Sequence, residues 1–487
     1  KEIPEGIVRL MGIPGLGPKK TAVLYKKLGI TTIDELKKAA EHGKLRGLEG
    51  FGEITEKNIL RGIEILERSK GRVLLSVAFE DGNHIVEYLK RNKDVLNISL
   101  AGSLRRMKET IGDIDILVSS LSPSSVMDFF VAYPDVGEVL LKGSTKTSIV
   151  LRDGIQVDLR VVKPESFGAA LQYFTGSKDH NIRVRNCAIK KGLKVNEYGV
   201  FKKDSGEYVA GETEEEVYNV IGLQYIEPEL RENMGEIELA QRNTLPCIIG
   251  YNDVKGDFHI HSQWSDGMAS VEEIARFGEK LGYEFVGIAD HSSSLKVAYG
   301  LSEEKVVEKI REIKRVQKRF DIRIFAGTEC DIKPDGTLDY GNSVLREFDF
   351  VCAAIHTRFK MSQKEMTDRI VKALENEYVT MLAHPTGRLI GRRDPYSVDV
   401  ERLFDAAKET NTFLEINAFP DRLDLSDVHA KMAKEKGIMM VLGTDAHSLD
   451  HLRFMRYGVA TARRGWLGKK DVLNTYSLKD IEKVLSR

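Results

Sequence analysis

Cysteine is scarce in this 487-residue chain. Cys187, Cys247, Cys330 and Cys352 are scattered and form no C-x-x-C pair. That excludes a disulfide frame and a thiolate zinc knuckle, and it points to a reducing interior. Charge of one sign is also missing: 73 Lys and Arg stand against 74 Asp and Glu, a net charge of −1. A polyanion-binding surface must therefore be local. No apolar run reaches the length of a membrane span, and no secretory leader pattern is present. What remains, 42% hydrophobic and 30% charged residues, is ordinary globular composition, in a chain too long for one core. It starts at Lys1 rather than a methionine, as expected of a piece of something longer.

The most informative stretch runs from Ala101 to Val118. A Gly102-Ser103 turn leads through Arg105-Arg106 into an apolar strand that begins Asp113-Ile114-Asp115. Alternation on a strand puts both carboxylates on one face and the isoleucines on the other. Two such charges are costly together unless a cation lies between them, which makes them a candidate Mg²⁺ site. The small turn can bring backbone amides and an arginine to a polyphosphate. Further on, strands over 147–151 and 155–162 are joined by Asp153-Gly154, a hairpin signal. Asp158 sits inside the second strand, where aspartate is disfavoured. Asp153 is explained by its turn, so Asp158 is the candidate third carboxylate for a two-metal phosphoryl-transfer site.

Around this core lie weaker signals. Gly15, Gly17 and Lys19, in a Gly-Pro turn before a helix ending at Leu28, resemble a helix-hairpin-helix element, whose exposed amides grip a DNA phosphate without reading bases. A looser echo lies at 48–52. Tyr173 and Phe174 can flank a sugar and a base, and the spacing places Asn181 and Arg185 one helical turn apart. From 211 to about 245 the composition turns acidic, which reads as a connector opposing a basic surface or as a solvated helical face.

Residues 1 to about 225 resemble a family X DNA polymerase. The resemblance rests on Gly102-Ser103 with Arg105-Arg106, Asp113 and Asp115, Val157-Asp158-Leu159-Arg160, Tyr173-Phe174-Thr175-Gly176-Ser177, then Asn181, Arg185 and Val195-Asn196-Glu197-Tyr198. It implies that Asp113, Asp115 and Asp158 hold two metal ions. Asp158 also helps the primer 3′-hydroxyl lose its proton. Gly102, Ser103 and Arg106 hold the triphosphate; Tyr173, Phe174 and Gly176 border the sugar; Asn181 and Arg185 meet the nascent base pair and template. The family's N-terminal lyase domain is expected either to be lacking or to lie ahead of Lys1, and Lys178-Asp179-His180 matches no family role.

Eight of the eleven histidines lie beyond residue 255. His259 and His261 alternate on a strand, Asp266 follows, and successive apolar strands end at Asp290-His291, Glu329, His356, His384, Asn417 and Asp445-x-His447, with helices between. Repeated βα units with polar strand ends describe a barrel with its site on the C-terminal rim. Imidazole and carboxylate without thiolate suit Zn²⁺, Mn²⁺ or Fe²⁺, and the ligand number fits two or three ions. Clusters of this kind hydrolyse phosphate esters. Residues from about 251 resemble the polymerase and histidinol phosphatase (PHP) domain. The resemblance makes His259, His261, Asp266, His291, Glu329, His356, His384, Asp445 and His447 the ligands, and leaves His429 and His451 as surface residues.

The expected architecture is multidomain α/β: helical fingers over 1–70, a nucleotidyltransferase palm with a mixed sheet over 71–165, a small thumb over 166–230, a linker over 231–250, and a distorted (β/α) barrel over 251–487. The expected activity is gap filling by DNA polymerisation, with a 3′–5′ exonuclease and abasic-site cleavage in the barrel, serving DNA repair. The alternative is a nucleotidyltransferase on RNA or a small molecule fused to a small-phosphoester phosphatase. Expected cofactors are Mg²⁺ or Mn²⁺ at the first site and two or three Zn²⁺, Mn²⁺ or Fe²⁺ ions at the second. Expected partners are gapped or primer-template DNA and deoxynucleoside triphosphates, for a cytoplasmic, nucleoid-associated monomer.

Overall fold

The computed structural model describes residues 7, 10, 13, 16–48, 50–68 and 71–486. Gly15, the first of the expected DNA-gripping residues, lies outside them. The chain divides into two compact units, residues 1–72 with 387–396, and 73–386 with 397–487. In the first unit, the helices Pro18–Leu28, Ile33–Glu41 and Glu53–Arg68 bury Leu24, Leu36, Ile59 and Ile63 in one cluster. Thr32 and Glu35 form a reciprocal capping box at the start of the second helix. Gly17 caps the first, with Pro18 at its first position and Lys19 exposed.

After the helix Leu75–Leu89, the second unit builds a five-stranded sheet: β1 (Asn97–Leu100), β2 (Asp113–Ser119), β3 (Val136–Lys142), β4 (Lys146–Leu151) and β5 (Gln156–Val162). Their spatial order is β1-β2-β5-β4-β3, with only the β2–β5 pair parallel. Ile114 and Ile116 of β2 are buried while Asp113 is exposed, so the alternation read from sequence holds. The edge strand β3 was not anticipated. Its Val139, Leu140 and Leu141 are exposed, so it has no buried face to announce it.

A small antiparallel sheet follows, β6 (Leu193–Asn196), β7 (Gly199–Lys202) and β8 (Tyr208–Ala210). Its cluster takes in Val184, Val217, Tyr218, Ile237, Ala240 and, from far along the chain, Trp466. The expected linker carries the helix Glu236–Gln241, which buries two residues in this core. The acidic run is also consumed by basic partners. Fully buried Arg231 pairs with Glu214 at 2.6 Å, and Arg105 holds the same carboxylate through two nitrogens. Burial raises the Glu214 pKa, but the two arginines override it and bring it down to about 2. His180, without a role in sequence, joins Glu236 at 2.7 Å and Tyr218 at 2.9 Å in this core.

Seven parallel strands then run in sequential order: β9 (Gly256–Ile260), β10 (Phe285–Ile288), β11 (Arg323–Asp331), β12 (Phe350–Ala354), β13 (Met381–Leu382), β14 (Phe413–Asn417) and β15 (Met440–Gly443). A parallel bridge from Ile260 to Ala446 nearly closes the ring. Helices such as Val271–Lys280 and Glu303–Gln317 intervene, and Phe258, Phe285, Phe325 and Phe350 fill a common core. Among the described residues, no helix is long and apolar enough to cross a membrane.

Arg231→Ala leaves Glu214 buried with half its cationic partners, a change expected to cost about 3–5 kcal/mol. The measurement is amide-exchange protection across residues 214–220, which should fall while that of the barrel strands stays unchanged.

Two candidate metal centres

The first centre is built by strand register. Parallel pairing of β2 with β5 sets Asp115 directly beside Asp158, and Asp113 lies two residues away on the same face. Gly102 sits behind them at φ +59°, where a Cβ would fall 2.1 Å from the Asp115 carboxylate. Only glycine allows that approach. Burial first, then the charges of Asp113 and Asp158, push the Asp115 pKa up to about 7. Burial also raises Asp158, but Lys146 Nζ at 2.7 Å and Gln156 Nε2 at 2.9 Å outweigh it and hold that carboxyl below its usual range. An ionised Asp158 beside a carboxyl that resists ionising is an acceptor set short of positive charge. That fits a divalent cation.

The neighbouring residues are sorted more finely than the sequence allowed. Arg105 is spent on Glu214 and on Thr175 Oγ1 at 2.7 Å. Arg106 reaches Thr175 O at 2.5 Å and Glu232 at 3.1 Å. Gly176, at φ +74°, leaves room for it: a Cβ there would lie 3.0 Å from the Arg106 guanidinium. Tyr173 and Phe174 meet edge to face at 5.2 Å between ring centroids, and the Arg160 guanidinium lies 4.3 Å from the Phe174 centroid. Asn181 is engaged by Gln172 at 2.8 Å and donates to Tyr173 O at 2.7 Å, so it props the aromatic helix. Arg185 is exposed one turn on. Asp153 accepts from Ile155 N at 3.1 Å within its turn. Lys146 was missed, and Arg160 was named in its motif without a role. Arg160 had a signal, since it follows Asp158 at the two-residue spacing that shares a strand face.

The second centre gathers all nine expected ligands on the rim of the barrel. Three groups hold ligand atoms within 4.8 Å of one another: His261, Asp266, His291 and His447; His259, His261 and Asp445; His291, Glu329 and His356. His384 Nε2 lies 2.8 Å from Glu329 Oε1. Shared His261 and His291 make these sites adjoin. His259 Nε2, both nitrogens of His261, His291 Nδ1 and Glu329 Oε2 are buried without a hydrogen bond. His291 Nδ1 is 2.9 Å from Glu329 Oε2 but off the required line. Buried, converging, unsatisfied lone pairs are costly unless ions receive them, so these residues fit two or three metals. Burial, then the adjacent His291 and His447, push the His261 pKa down to about 4, so it is a neutral imidazole at neutral pH with one ring nitrogen able to ligate.

A second layer fixes these ligands and was mostly missed. Glu415 on β14 accepts from His259 Nδ1 at 2.6 Å and from His384 N at 2.6 Å. Asp331 takes His356 Nδ1 at 2.6 Å, and the Asp445 carbonyl takes His447 Nδ1 at 2.8 Å. Each interaction sets a tautomer and ring angle. Asp290 gathers Ser262 N, Ser265 Oγ and buried Lys309 at 2.8 Å each, which shapes the loop carrying Asp266. Glu415 and Asp331 had a signal: carboxylates at alternating positions within apolar strands, the same cue that found Asp158. His451 is half-buried rather than a plain surface residue, with His447 N donating to its Nδ1 at 3.3 Å.

Comparison with known proteins gives matches in three parts of the chain. Residues 7–64 match a tandem helix-hairpin-helix family, 170–232 the DNA polymerase beta thumb, and 257–419 the PHP domain. The chain is 42% identical over 490 residues to the DNA polymerase/3′-5′ exonuclease PolX of Bacillus subtilis (strain 168), covering 100% of this chain and 86% of that protein. A probable phosphatase of Acetivibrio thermocellus is 30% identical over 203 residues, covering 39% of this chain and 78% of its own length. The ternary complex of Leishmania infantum polymerase beta aligns with 47% of this chain and 100% of its own at 24% identity and TM-score 0.31.

With no cation present, Asp115 keeps its proton up to about pH 7. A divalent ion must displace that proton, so binding at the first centre weakens as pH falls below 7, by about tenfold per unit. Mn²⁺ titrations between pH 8 and 6, in protein with the barrel disabled by His261→Ala, measure this. Affinity independent of pH contradicts it.

Proposed function

The chain belongs to the family X DNA polymerases that carry a C-terminal PHP domain, and from that premise we propose that it fills short gaps in DNA and trims 3′ ends at a second, separate centre. The observation that carries the proposal is the presence in one compact unit of two independent donor sets, three carboxylates on adjacent strands and, on a barrel rim, eight clustered candidate ligands with His384 joining them through Glu329.

At the first centre, Asp113, Asp115 and Asp158 would hold Mg²⁺ or Mn²⁺, which supplies charge neutralisation and in-line alignment when bound. Asp158, kept ionised by Lys146 and Gln156, accepts the hydrogen bond of the primer 3′-hydroxyl and helps it lose its proton. The hydroxyl oxygen bonds to the α-phosphorus of the incoming nucleotide while pyrophosphate leaves. Gly102, Ser103 and Arg106 border the triphosphate, and Tyr173, Phe174 and Gly176 border the sugar. Asn181 steadies the aromatic pair and Arg185 lies on the template side. Gly17 and Lys19, with Gly15, grip the DNA backbone without reading sequence. Gapped or primer-template DNA and deoxynucleoside triphosphates are thus the partners, which places the protein in the cytoplasm on nucleoid DNA.

At the second centre, the nine ligands would hold two or three Zn²⁺, Mn²⁺ or Fe²⁺ ions, which supply Lewis acidity toward a phosphodiester. The protein's own contribution is rigidity: Glu415, Asp331 and the Asp445 carbonyl fix the imidazoles before any ligand arrives. Water adds to the 3′-terminal phosphorus and the shortened strand leaves through its 3′-oxygen. Abasic-site cleavage is the same chemistry on an internal phosphodiester.

Primer extension on gapped DNA and 3′ degradation, assayed on one preparation with Mn²⁺, test the pairing of activities. His259→Ala should cut degradation by at least about 10²-fold and leave extension within twofold; Asp115→Ala should do the reverse. Loss of both activities in either folded variant defeats the two-centre reading.

A further inference from the structure

A cluster of five charged residues joins the polymerase turn to the barrel. The helix Met455–Arg464 packs against β14 and β15 and ends at Arg464, whose side chain is 5% exposed. Its guanidinium donates to Asp427 through Nε at 2.9 Å and a terminal nitrogen at 2.6 Å. The other terminal nitrogen reaches the Arg106 carbonyl at 2.8 Å and Glu232 Oε1 at 3.0 Å. Glu232 Oε1 also accepts from Arg106 Nε at 3.1 Å, and Lys108 Nζ stands 4.0 Å away. Burial raises the Glu232 pKa, but Arg464, Arg106 and Lys108 outweigh it, so Glu232 is an anion.

Arg106 is therefore shared. Nε goes to Glu232 and one terminal nitrogen to Thr175 O. The other terminal nitrogen has no hydrogen bond to a described residue, which leaves an open edge suited to a phosphate. How firmly Glu232 draws Arg106 depends on how much of its charge Arg464 neutralises.

We propose that Arg464, a residue of the barrel half, is a positioning residue for nucleotide binding at the polymerase centre. It anchors the Arg106 backbone and neutralises Glu232, so that Arg106 keeps an edge free for the triphosphate. The proposal rests on the reading of Arg106 as a triphosphate ligand. Without Arg464, Glu232 holds the same charge with one partner fewer. It then pulls harder on Arg106 and adds uncompensated negative potential beside a polyanionic substrate. Both effects oppose nucleotide binding and neither touches the carboxylates that perform the transfer.

Steady-state extension of a gapped primer by full-length protein, with the deoxynucleoside triphosphate varied, tests this. Arg464→Ala should raise the nucleotide KM on the order of tenfold, about one charge-assisted hydrogen bond, with kcat and 3′ degradation each within twofold. Arg464→Lys should fall between, since it keeps the charge and loses the fork. Asp427→Asn, which loosens Arg464 without removing it, should raise KM in the same direction. Glu232→Gln combined with Arg464→Ala should bring KM back toward wild type, because the unneutralised anion is gone. A merely structural role predicts instead that the double variant is worse than either single one, and that outcome overturns the proposal. So does an unchanged KM in Arg464→Ala while Arg106→Ala raises it. An unchanged KM in Arg106→Ala defeats the reading of Arg106 and the inference with it.

Discussion

Both centres depend on one electrostatic constraint: groups that repel or strand one another are held together where water cannot relieve them. In the first sheet it is carboxylate against carboxylate, with Asp115 pushed up to about 7. In the barrel it is imidazole and carboxylate lone pairs converging without donors. Such arrangements persist only when the surrounding fold over-determines them. Here the over-determination is backbone pairing: the seven registered pairs of β2 with β5 fix Asp115 against Asp158, and the β9–β15 ring fixes the rim. Stability is given up locally so that a cation recovers it on binding.

The same constraint explains what could be read from sequence. An aspartate in an apolar strand, or a histidine at the end of one, contradicts its local propensity, and contradiction is visible in a single sequence. Asp158 and the histidines at the strand ends stood out for that reason, while the full set of nine candidate ligands came from the resemblance to the PHP domain. Glu415 and Asp331 carry the same contradiction and were overlooked beside the histidines. Lys146 and Lys309 carry none, since a lysine near a strand end or on a helix is unremarkable until the fold supplies a buried partner. The edge strand β3 was missed for the opposite reason: its apolar residues stay exposed, so no amphipathic period marks it. The helix end at Leu28 was recovered because its stop at Gly29 is local. The acidic stretch had two readings, and only long-range pairing distinguished them. Its glutamates meet Arg105, Arg106, Arg183, Arg231, Arg463 and Arg464.

Those pairings also show why the polymerase portion and the barrel form one unit. Arg463 holds Glu229 and the Ile249 carbonyl, both contacts at 2.7 Å, and Trp466 enters the core of the small sheet. An acidic connector would normally repel the polyanion that this protein handles. Neutralised largely by buried arginines, it becomes mortar between the two halves of the unit.

The sequential strand order of the barrel sets an order of maturation during synthesis. Asp113, Asp115 and Asp158 come from strands close together in the chain, so that centre can assemble as soon as one sheet has left the ribosome. The barrel centre draws His259 and His261 from the first barrel strand and its end, and Asp445 and His447 from beyond the last. It stays open until the ring closes at Ile260 and Ala446. The carboxylate set is thus complete in the growing chain before the donor set of the barrel rim.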